Sequence, residues 1–488
     1  MRALSEILQR VTTLEVAGIP SSEVIGIACD SRHVEPGMLF VCLRGQHVDG
    51  HDFLEKALQA GATCALVEQW RPSVPLPQIR VACTRKALAE VSCAFYGSPA
   101  EAMTLVGITG ANGKTSSAFL LESILKAAGQ KVGVIGTVTY RWFDRQLPAP
   151  NTTPLALELQ QTLFQMKQDG VQTVVMEVSS HALALDRIHG LQYQVALFTN
   201  LTQDHLDFHE TMESYQKAKE RLFFEYLAPE GTSVINVDDT AGASIASRVP
   251  RNHLLTYALD TPANISVKAL QMDREGIRAD VQLPDGQRTC IQSNLLGRYN
   301  VYNLLGVTGM AFALGVNPNC IANGIREMKL IPGRLEEIPN DRGLKVLVDY
   351  AHTEDALKQV LSTLKQIPHR KIILVFGAGG DRDKTKRPRM GAVAAQLSDF
   401  AVLTSDNPRS EDPQQILRDI QTGMAQAKGR FEVIEDRAEA IRRAIQMAAS
   451  DDIVLIAGKG HEQTQTLADR VIHFDDREQA CAALKELK

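Results

Sequence analysis

Thr109 to Thr115 read TGANGKT, between an apolar run, TLVGIT, and a stretch with helical periodicity, KTSSAFLLESILKAAG. A glycine-rich turn from a strand into a helix aims main-chain N–H groups at phosphate, and the helix N-terminus favours its charge. Lys114 is then placed to reach the β- and γ-phosphates of ATP, and the Thr115 hydroxyl to ligate Mg²⁺. Gly110, Ala111, Asn112, Gly113 and Ser116 complete the loop. Ile108 stands where the usual pattern has its first glycine, so the flanking strand and helix, more than GKT itself, carry the signal.

Further candidates lie where apolar runs end, because open α/β sheets present their ligands at the carboxyl ends of their strands. Glu177 closes the run VVME, and a carboxylate there is costly unless paired or metal-bound. The next run leads into TNLTQDHLDFH, which gathers Asn200, Asp204, His205, Asp207 and His209. A lone histidine is more often structural than a ligand, and even this cluster leaves both readings open. Asp406-Asn407-Pro408-Arg409 follows FAVLTS and reads as a turn with Asn-Pro punctuation. Asp30-Ser31-Arg32 is equally ordinary turn chemistry. Lys217 and Lys219, in YQKAKERLF, read as the solvated face of a polar helix.

These residues need elements to hold them. Alternating apolar runs and helix-length stretches indicate an α/β protein with three domains: residues 1–98, 99–331 and 332–488. The first is a small α/β domain, opened by an amphipathic helix in MRALSEILQRVTTLEV. The second is a doubly wound, P-loop ATPase-like domain with strands TLVGIT, KVGVIGTVTY, QTVVMEVSS, QVALFTN and TSVINVDD. It adds a hairpin, IRADVQL-PDG-QRTCIQS, and a helical pair from about residue 300 to 329. The third is Rossmann-like, with strands KVLVDYA, KIILVFGAGG, FAVLTSD, FEVIED and IVLIAGKG. A net charge of −5 supplies no basic field for nucleic acid, so an anionic ligand needs a local site. No apolar run approaches the roughly 20 residues that span a bilayer, and no signal-peptide pattern opens the chain, so a cytoplasmic protein is expected. The eight cysteines form no CxxC pair, which points to buried, reduced thiols and away from zinc and disulfides.

TGANGKT, NTTP, MEVSSHAL, TNLTQDHLDFH, YQKAKERLF, GRYNVYN, PGRLE, VDYAHTEDAL, GAGGDRDKTKRP, DNPR and GKGHE follow one another across almost the whole chain. Together they resemble the Mur ligases of bacterial peptidoglycan synthesis. They are most similar to members that extend UDP-N-acetylmuramoyl-L-alanyl-D-glutamate by the third residue of the stem peptide. The resemblance implies amide synthesis. The substrate carboxylate attacks the γ-phosphate of ATP, and the amine of an amino acid then displaces phosphate from the acyl phosphate. Two unit charges 4 Å apart repel by about 4 kcal/mol at an effective dielectric of 20, so cations must screen the approach. The resemblance places one Mg²⁺ on Thr115 and Glu177, and a second near His205 and Lys219. Lys219 would be carbamylated by CO₂ (N6-carboxylysine), an anion suited to a hard cation.

By the same resemblance Asn303 contacts adenine, and Arg334 and Asp349 reach the nucleotide. Ser31, Gln46, His47, Val48, Asn151, Thr152, Thr153, Ser179, Leu185 and Arg187 hold the UDP-sugar and peptide. Leu185 stands where some relatives place a polar contact, and Glu354 where the family usually has proline. Arg382, Asp406, Asn407, Pro408, Arg409, Gly458 and Glu462 form the amino-acid pocket, and DNPR accompanies meso-2,6-diaminopimelate. A guanidinium grips that substrate's second carboxylate bidentately and is left unpaired by lysine. His352 has no assigned role. Alternatives are an L-lysine-adding ligase, the D-alanyl-D-alanine-adding ligase, folylpolyglutamate synthetase, and, in another class, an ATP-hydrolysing switch. The expected protein acts as a bacterial monomer, without nucleic-acid or membrane partners.

Overall fold

The computed structural model describes residues 1–18, 23–45, 48–273 and 275–487. The chain divides into two compact units. The first comprises residues 1–109, 130–196 and 218–232, and the second residues 110–129, 197–217 and 233–488.

In the first unit, a five-stranded sheet has the order Thr13–Ala17, Gln78–Val81, Cys64–Val67, Met38–Val41, Gly26–Ala28. Its inner strands pair in parallel, and only the edge strand Thr13–Ala17 is antiparallel. Apolar clusters cover both faces, which is why CALV and MLFV read as unbroken hydrophobic runs. A second sheet is centred on Thr104–Thr109, parallel to Thr173–Glu177, which is parallel in turn to Val132–Ile135. The hairpin Thr139–Trp142 and Arg145–Pro148 extends it antiparallel.

In the second unit, Leu254–Ala258 is followed by an antiparallel meander of Ile265–Asp273, Gly276–Gln282 and Arg288–Ser293. The helices Lys114–Ala127 and Pro318–Glu327 cross closely: a Cβ on Gly324 would stand 2.3 Å from Ile124 Cα, so only glycine fits. A six-stranded sheet has the order Glu336–Ile338, Lys345–Asp349, Ile453–Ala457, Ile372–Phe376, Phe400–Leu403, Phe431–Val433. It is parallel except for Glu336–Ile338. Helices Glu354–Leu364, Lys386–Leu397 and Pro413–Gln426 cover one face, and Arg437–Met447 and Asp476–Glu486 the other. This is the doubly wound arrangement, with the loops after Asp349, Phe376, Leu403 and Ala457 at the carboxyl ends of its strands.

Several expectations need correction. The N-terminal helix covers only Leu4–Leu8, because residues after it extend into the edge strand Thr13–Ala17. KVGVIGTVTY is not one strand: the chain turns back at Gly136 and supplies two antiparallel partners. The strands Gln78–Val81, Leu254–Ala258 and Ile265–Asp273 carry no strong apolar pattern and were not foreseen. All eight cysteines are free thiols, but Cys290 and Cys481 are exposed and only Cys42, Cys64 and Cys93 are buried. Among the described residues no helix is long and apolar enough to cross a membrane.

Candidate active site

In the first unit the end of Thr173–Glu177 carries a compact polar cluster. Glu177 is 1% exposed. Its two carboxylate oxygens accept the Thr137 N–H and the Thr137 hydroxyl, both at 2.9 Å. Gly136 makes that approach possible, since a Cβ there would stand 2.3 Å from the carboxylate. Thr153 is the hub. Its hydroxyl donates to the Glu177 carbonyl at 2.8 Å and accepts the Ser179 N–H at 3.0 Å, and its own carbonyl accepts Arg187 Nη1 at 2.9 Å. Ser179 caps the following helix through Ala182 N–H, and Leu185 ends it. Thr152 meets the Thr137 hydroxyl, and the Asn151 carbonyl accepts from Tyr140. Arg187 Nε is buried with no partner among the described residues, and burial lowers the pKa of its guanidinium. A half-buried guanidinium with one unpartnered, buried nitrogen beside polar hydroxyls suits an anionic ligand group.

Also in the first unit, Asp30 caps Ser31–His33 by accepting from Arg32 N–H, and its Arg32 contact holds its carboxyl down at about 2. Val48 is exposed. Gln46 and His47 lie outside the described residues. Lys219 corrects the reading of a solvated helix face: it is 1% exposed, whereas the Lys217 side chain is 70% exposed and pairs with Glu213. On Met212–Phe224 the buried positions are Tyr215, Ala218, Lys219, Leu222 and Phe223, so Lys219 lies on the apolar stripe.

In the second unit the glycine loop is tied down by the segment after Phe198. Ala111 and Asn112 N–H donate to the Asn200 carbonyl and side chain, and the Thr199 hydroxyl donates to the Asn112 carbonyl at 2.6 Å. Gly110 and Gly113 have φ of 147° and 86°, and Cβ atoms there would meet Thr199 and Asn303. Gly113 is the N-cap of the helix Lys114–Ala127 and supplies no side-chain cap, an arrangement that suits a phosphate site. Lys114 Nζ folds over the loop onto the carbonyls of Gly110 and Ala111. Arg334 donates to the Thr115 hydroxyl at 3.3 Å and lies over the Tyr350 ring at 4.7 Å. Asp349 accepts the N–H groups of Leu335 and Ala351, so it clamps the linker around Arg334 as well as facing that cation. Burial pushes its carboxyl up, with Arg334 opposing.

TNLTQDHLDFH does not close into a ring of metal ligands: among the described residues no three His, Cys, Asp or Glu side chains converge as a metal site. His209 is buried against Phe208 and Tyr215, and Asp207 is exposed. Asp204 is partly buried near His205, His352 and Lys386, at 3.5, 4.0 and 3.9 Å. Against its desolvation, His205, His352 and Lys386 hold its carboxyl well below the usual range. A hard cation takes oxygen ligands, and the Thr115 hydroxyl and Glu177 carboxylate, each buried within its own unit, fit that chemistry.

At the carboxyl edge of the second unit's parallel sheet, Arg409 Nη1 donates to the Gly380 carbonyl at 2.6 Å. Burial and then Arg382 lower its pKa, so two guanidinium groups repel one another at this spot. Asp406 is 7% exposed, yet its Oδ2 has no partner among the described residues. A Cβ on Gly458 would stand 2.5 Å from that oxygen. Glu462 accepts from Asn407 Nδ2 and Lys459 Nζ. The Pro408 carbonyl crosses so near Gly380 that only glycine fits there.

Residues 23–96 match the Mur ligase family catalytic domain, residues 108–311 the Mur ligase middle domain, and residues 333–460 the Mur ligase glutamate ligase domain. The chain belongs to the Mur ligase family. A UDP-N-acetylmuramoyl-L-alanyl-D-glutamate–2,6-diaminopimelate ligase of Geobacillus thermodenitrificans is 44% identical over 99% of both chains. Its namesake in Geobacter metallireducens is 43% identical over 99% of this chain and 98% of that one. A solved structure of a ligase with the same name superposes with a TM-score of 0.65 at 33% identity, over 95% of each chain. The Acinetobacter baumannii MurF structure, at 20% identity and a TM-score of 0.68 over 93% of this chain and 95% of that one, shares the fold.

For this Mur ligase, the structure brings Asn151, Thr152, Thr153, Glu177, Ser179 and Arg187 into one cluster, and Asp406, Asn407, Arg409, Gly458 and Glu462 into another. Arg382 is exposed beside Arg409. Asn303 lies against Gly113 of the glycine loop. Thr137 and Tyr140 of the first cluster, and Lys459 of the second, were missed. Lys459 stood inside a quoted motif, GKGHE; Thr137 and Tyr140 stood in a stretch mistaken for one strand.

Proposed function

We propose that this Mur ligase joins meso-2,6-diaminopimelate to UDP-N-acetylmuramoyl-L-alanyl-D-glutamate, converting ATP to ADP and phosphate. The observation that carries the choice of amino acid is the mixed charge of the pocket after Leu403. It pairs two mutually repelling guanidinium groups, Arg382 and Arg409, with an unpartnered, buried carboxylate oxygen on Asp406 and with Glu462. Such a pocket complements a side-chain end bearing both a carboxylate and an ammonium. L-lysine carries only the ammonium and leaves the guanidinium pair uncompensated.

The reaction follows from the parts. A glutamate carboxylate oxygen of the UDP-dipeptide forms a bond to the γ-phosphorus, and the bond to the β-phosphate oxygen breaks with its electron pair leaving on ADP. The diaminopimelate amine then attacks the acyl carbon, loses a proton and expels phosphate. Lys114 and the N–H groups from Gly113 onward hold the phosphates, and Arg334, held by Asp349 and Tyr350, supplies a fixed positive charge. Asn303 supports the loop and adenine. Thr115 and Glu177 would hold Mg²⁺, and His205 and carbamylated Lys219 a second Mg²⁺, whose charge would offset the repulsion between carboxylate and phosphate. Burial of Lys219 supports this reading, since taking an ammonium out of water onto an apolar stripe is costly. Ser31, Gln46, His47, Val48, Asn151–Thr153, Ser179, Leu185 and Arg187 hold the UDP-sugar and peptide. The three domains are residues 1–98, 99–331 and 332–488, and the enzyme works as a monomer in the bacterial cytoplasm.

The test is phosphate release with the UDP-dipeptide and a panel of amino acids. Release should require the UDP-dipeptide and favour meso-diaminopimelate over L-lysine by on the order of 10²-fold in kcat/KM. Similar values for the two would refute the amino-acid assignment, and release independent of the UDP-dipeptide would refute ligation.

A further inference from the structure

Lys459 is the one residue of GKGHE whose side chain is entirely out of solvent, at 0% exposure. Its ammonium has three donors, and three acceptors surround it: Asn407 Oδ1 at 3.2 Å, Glu462 Oε2 at 3.0 Å and the Thr464 carbonyl at 2.6 Å. Asn407 Nδ2 donates to the same Glu462 oxygen at 2.9 Å, and Asn407 Oδ1 also accepts the Thr466 N–H at 3.0 Å. Glu462 Oε2 is therefore fully engaged from below. Oε1 has no hydrogen-bond partner among the described residues, and the Glu462 side chain is 31% exposed. The pair is asymmetric: the cation is buried beneath the pocket, and one oxygen of its anion is turned outward.

We infer that Lys459 is the positioning residue of the amino-acid pocket, fixing Glu462 so that one carboxylate oxygen faces the distal ammonium of the incoming amino acid. The inference rests on the proposed assignment of that pocket to diaminopimelate. Without the ammonium, Glu462 Oε2, Asn407 Oδ1 and the Thr464 carbonyl would crowd together with too few donors. The carboxylate would then swing to solvent and the Asn407 amide would lose its orientation. A neutral side chain cannot supply three donors from one atom. Lys459 thus sets discrimination at the ammonium, while Arg409 and Arg382 set it at the carboxylate.

Three substrates separate these ends: meso-diaminopimelate, 2-aminopimelate, which lacks the distal ammonium, and L-lysine, which lacks the distal carboxylate. The wild-type enzyme should prefer diaminopimelate over both. Lys459→Met and Lys459→Gln should raise KM for diaminopimelate on the order of 10-fold or more. They should collapse its preference over 2-aminopimelate while keeping its preference over lysine. Their KM values for ATP and the UDP-dipeptide should stay within about twofold. Wild-type enzyme indifferent to the distal ammonium would overturn the pocket assignment and the inference together. Preserved discrimination in both variants would overturn the inference alone. Loss of folding, or a parallel rise of all three KM values in both variants, would mark Lys459 as a residue of domain stability and also overturn it.

Discussion

Thr153→Val removes one oxygen from a side chain with 0% exposure and keeps its volume. The lost hydroxyl donates to the Glu177 carbonyl and accepts the Ser179 N–H, at 2.8 and 3.0 Å. Each neutral hydrogen bond contributes about 1 kcal/mol net, and a buried amide left without a partner costs about 1–3 kcal/mol. The local penalty is therefore about 2–4 kcal/mol, placed between the Glu177 carboxylate and the Arg187 guanidinium. If half of it falls on the bound state, kcat/KM for the UDP-dipeptide drops roughly 5- to 30-fold, at about 1.4 kcal/mol per tenfold. Initial rates of phosphate release, with each substrate varied in turn, read this directly. The KM for diaminopimelate should barely move, because its pocket shares no residue with the cluster. Thr153→Ser, which keeps the hydroxyl, should recover most of the loss. A Thr153→Val enzyme within twofold of wild type in kcat/KM for the UDP-dipeptide would refute the hub reading.

Lys114→Ala should abolish ligation in a folded protein, as measured by phosphate release; near-normal turnover would remove the glycine loop from the ATP site. Lys219→Ala should be nearly inactive and unresponsive to bicarbonate, with partial recovery in small carboxylic acids; intact mass of fully active wild type showing no CO₂ adduct would refute carbamylation. Arg409→Ala should lose on the order of 10²-fold in kcat/KM with diaminopimelate, from a bidentate pair of about 1.5–3 kcal/mol per bond, without gaining lysine activity; unchanged diaminopimelate kinetics would sink the assignment. Hydrogen bonds from Arg387 hold the Glu411 carboxyl down to about 2, from an ordinary value of 4.5. A folded-state pKa below the unfolded one stabilises above the unfolded value and fades as pH falls. Glu411→Gln should accordingly lower the melting temperature at pH 7 and flatten its fall between about pH 4.5 and 2, as followed by circular dichroism.

The alternating architecture was legible because buried parallel strands must be apolar on both faces. TLVGIT, KIILVFG, FAVLTS and IVLIAG announce themselves for that reason, and the chemistry-bearing residues follow directly after them. Edge strands such as Thr13–Ala17, exposed along their length, carry no such pressure and left no pattern. TGANGKT was readable because its function is performed by main-chain atoms of contiguous residues, so local sequence specifies it. The order of motifs from NTTP to GKGHE likewise carries the family resemblance in the sequence itself.

Tertiary structure decided what local sequence could not encode, namely which polar groups are buried and what they face. Lys217 and Lys219 look alike in the sequence, two residues apart on one helix, yet one is exposed and the other is buried on an apolar stripe. A rotation of 200° on a helix makes that difference, and only packing shows which face is inside. Asp349, at the end of its strand, accepts the N–H groups of Leu335 and Ala351, which its sequence position alone does not reveal. Asp406 and Lys459 were both inside recognised motifs, but an unpartnered oxygen on one and three bonds on the other are facts of assembly. Residue type sets which hydrogen bonds a side chain can make; distant segments folded against it determine which ones remain for a ligand.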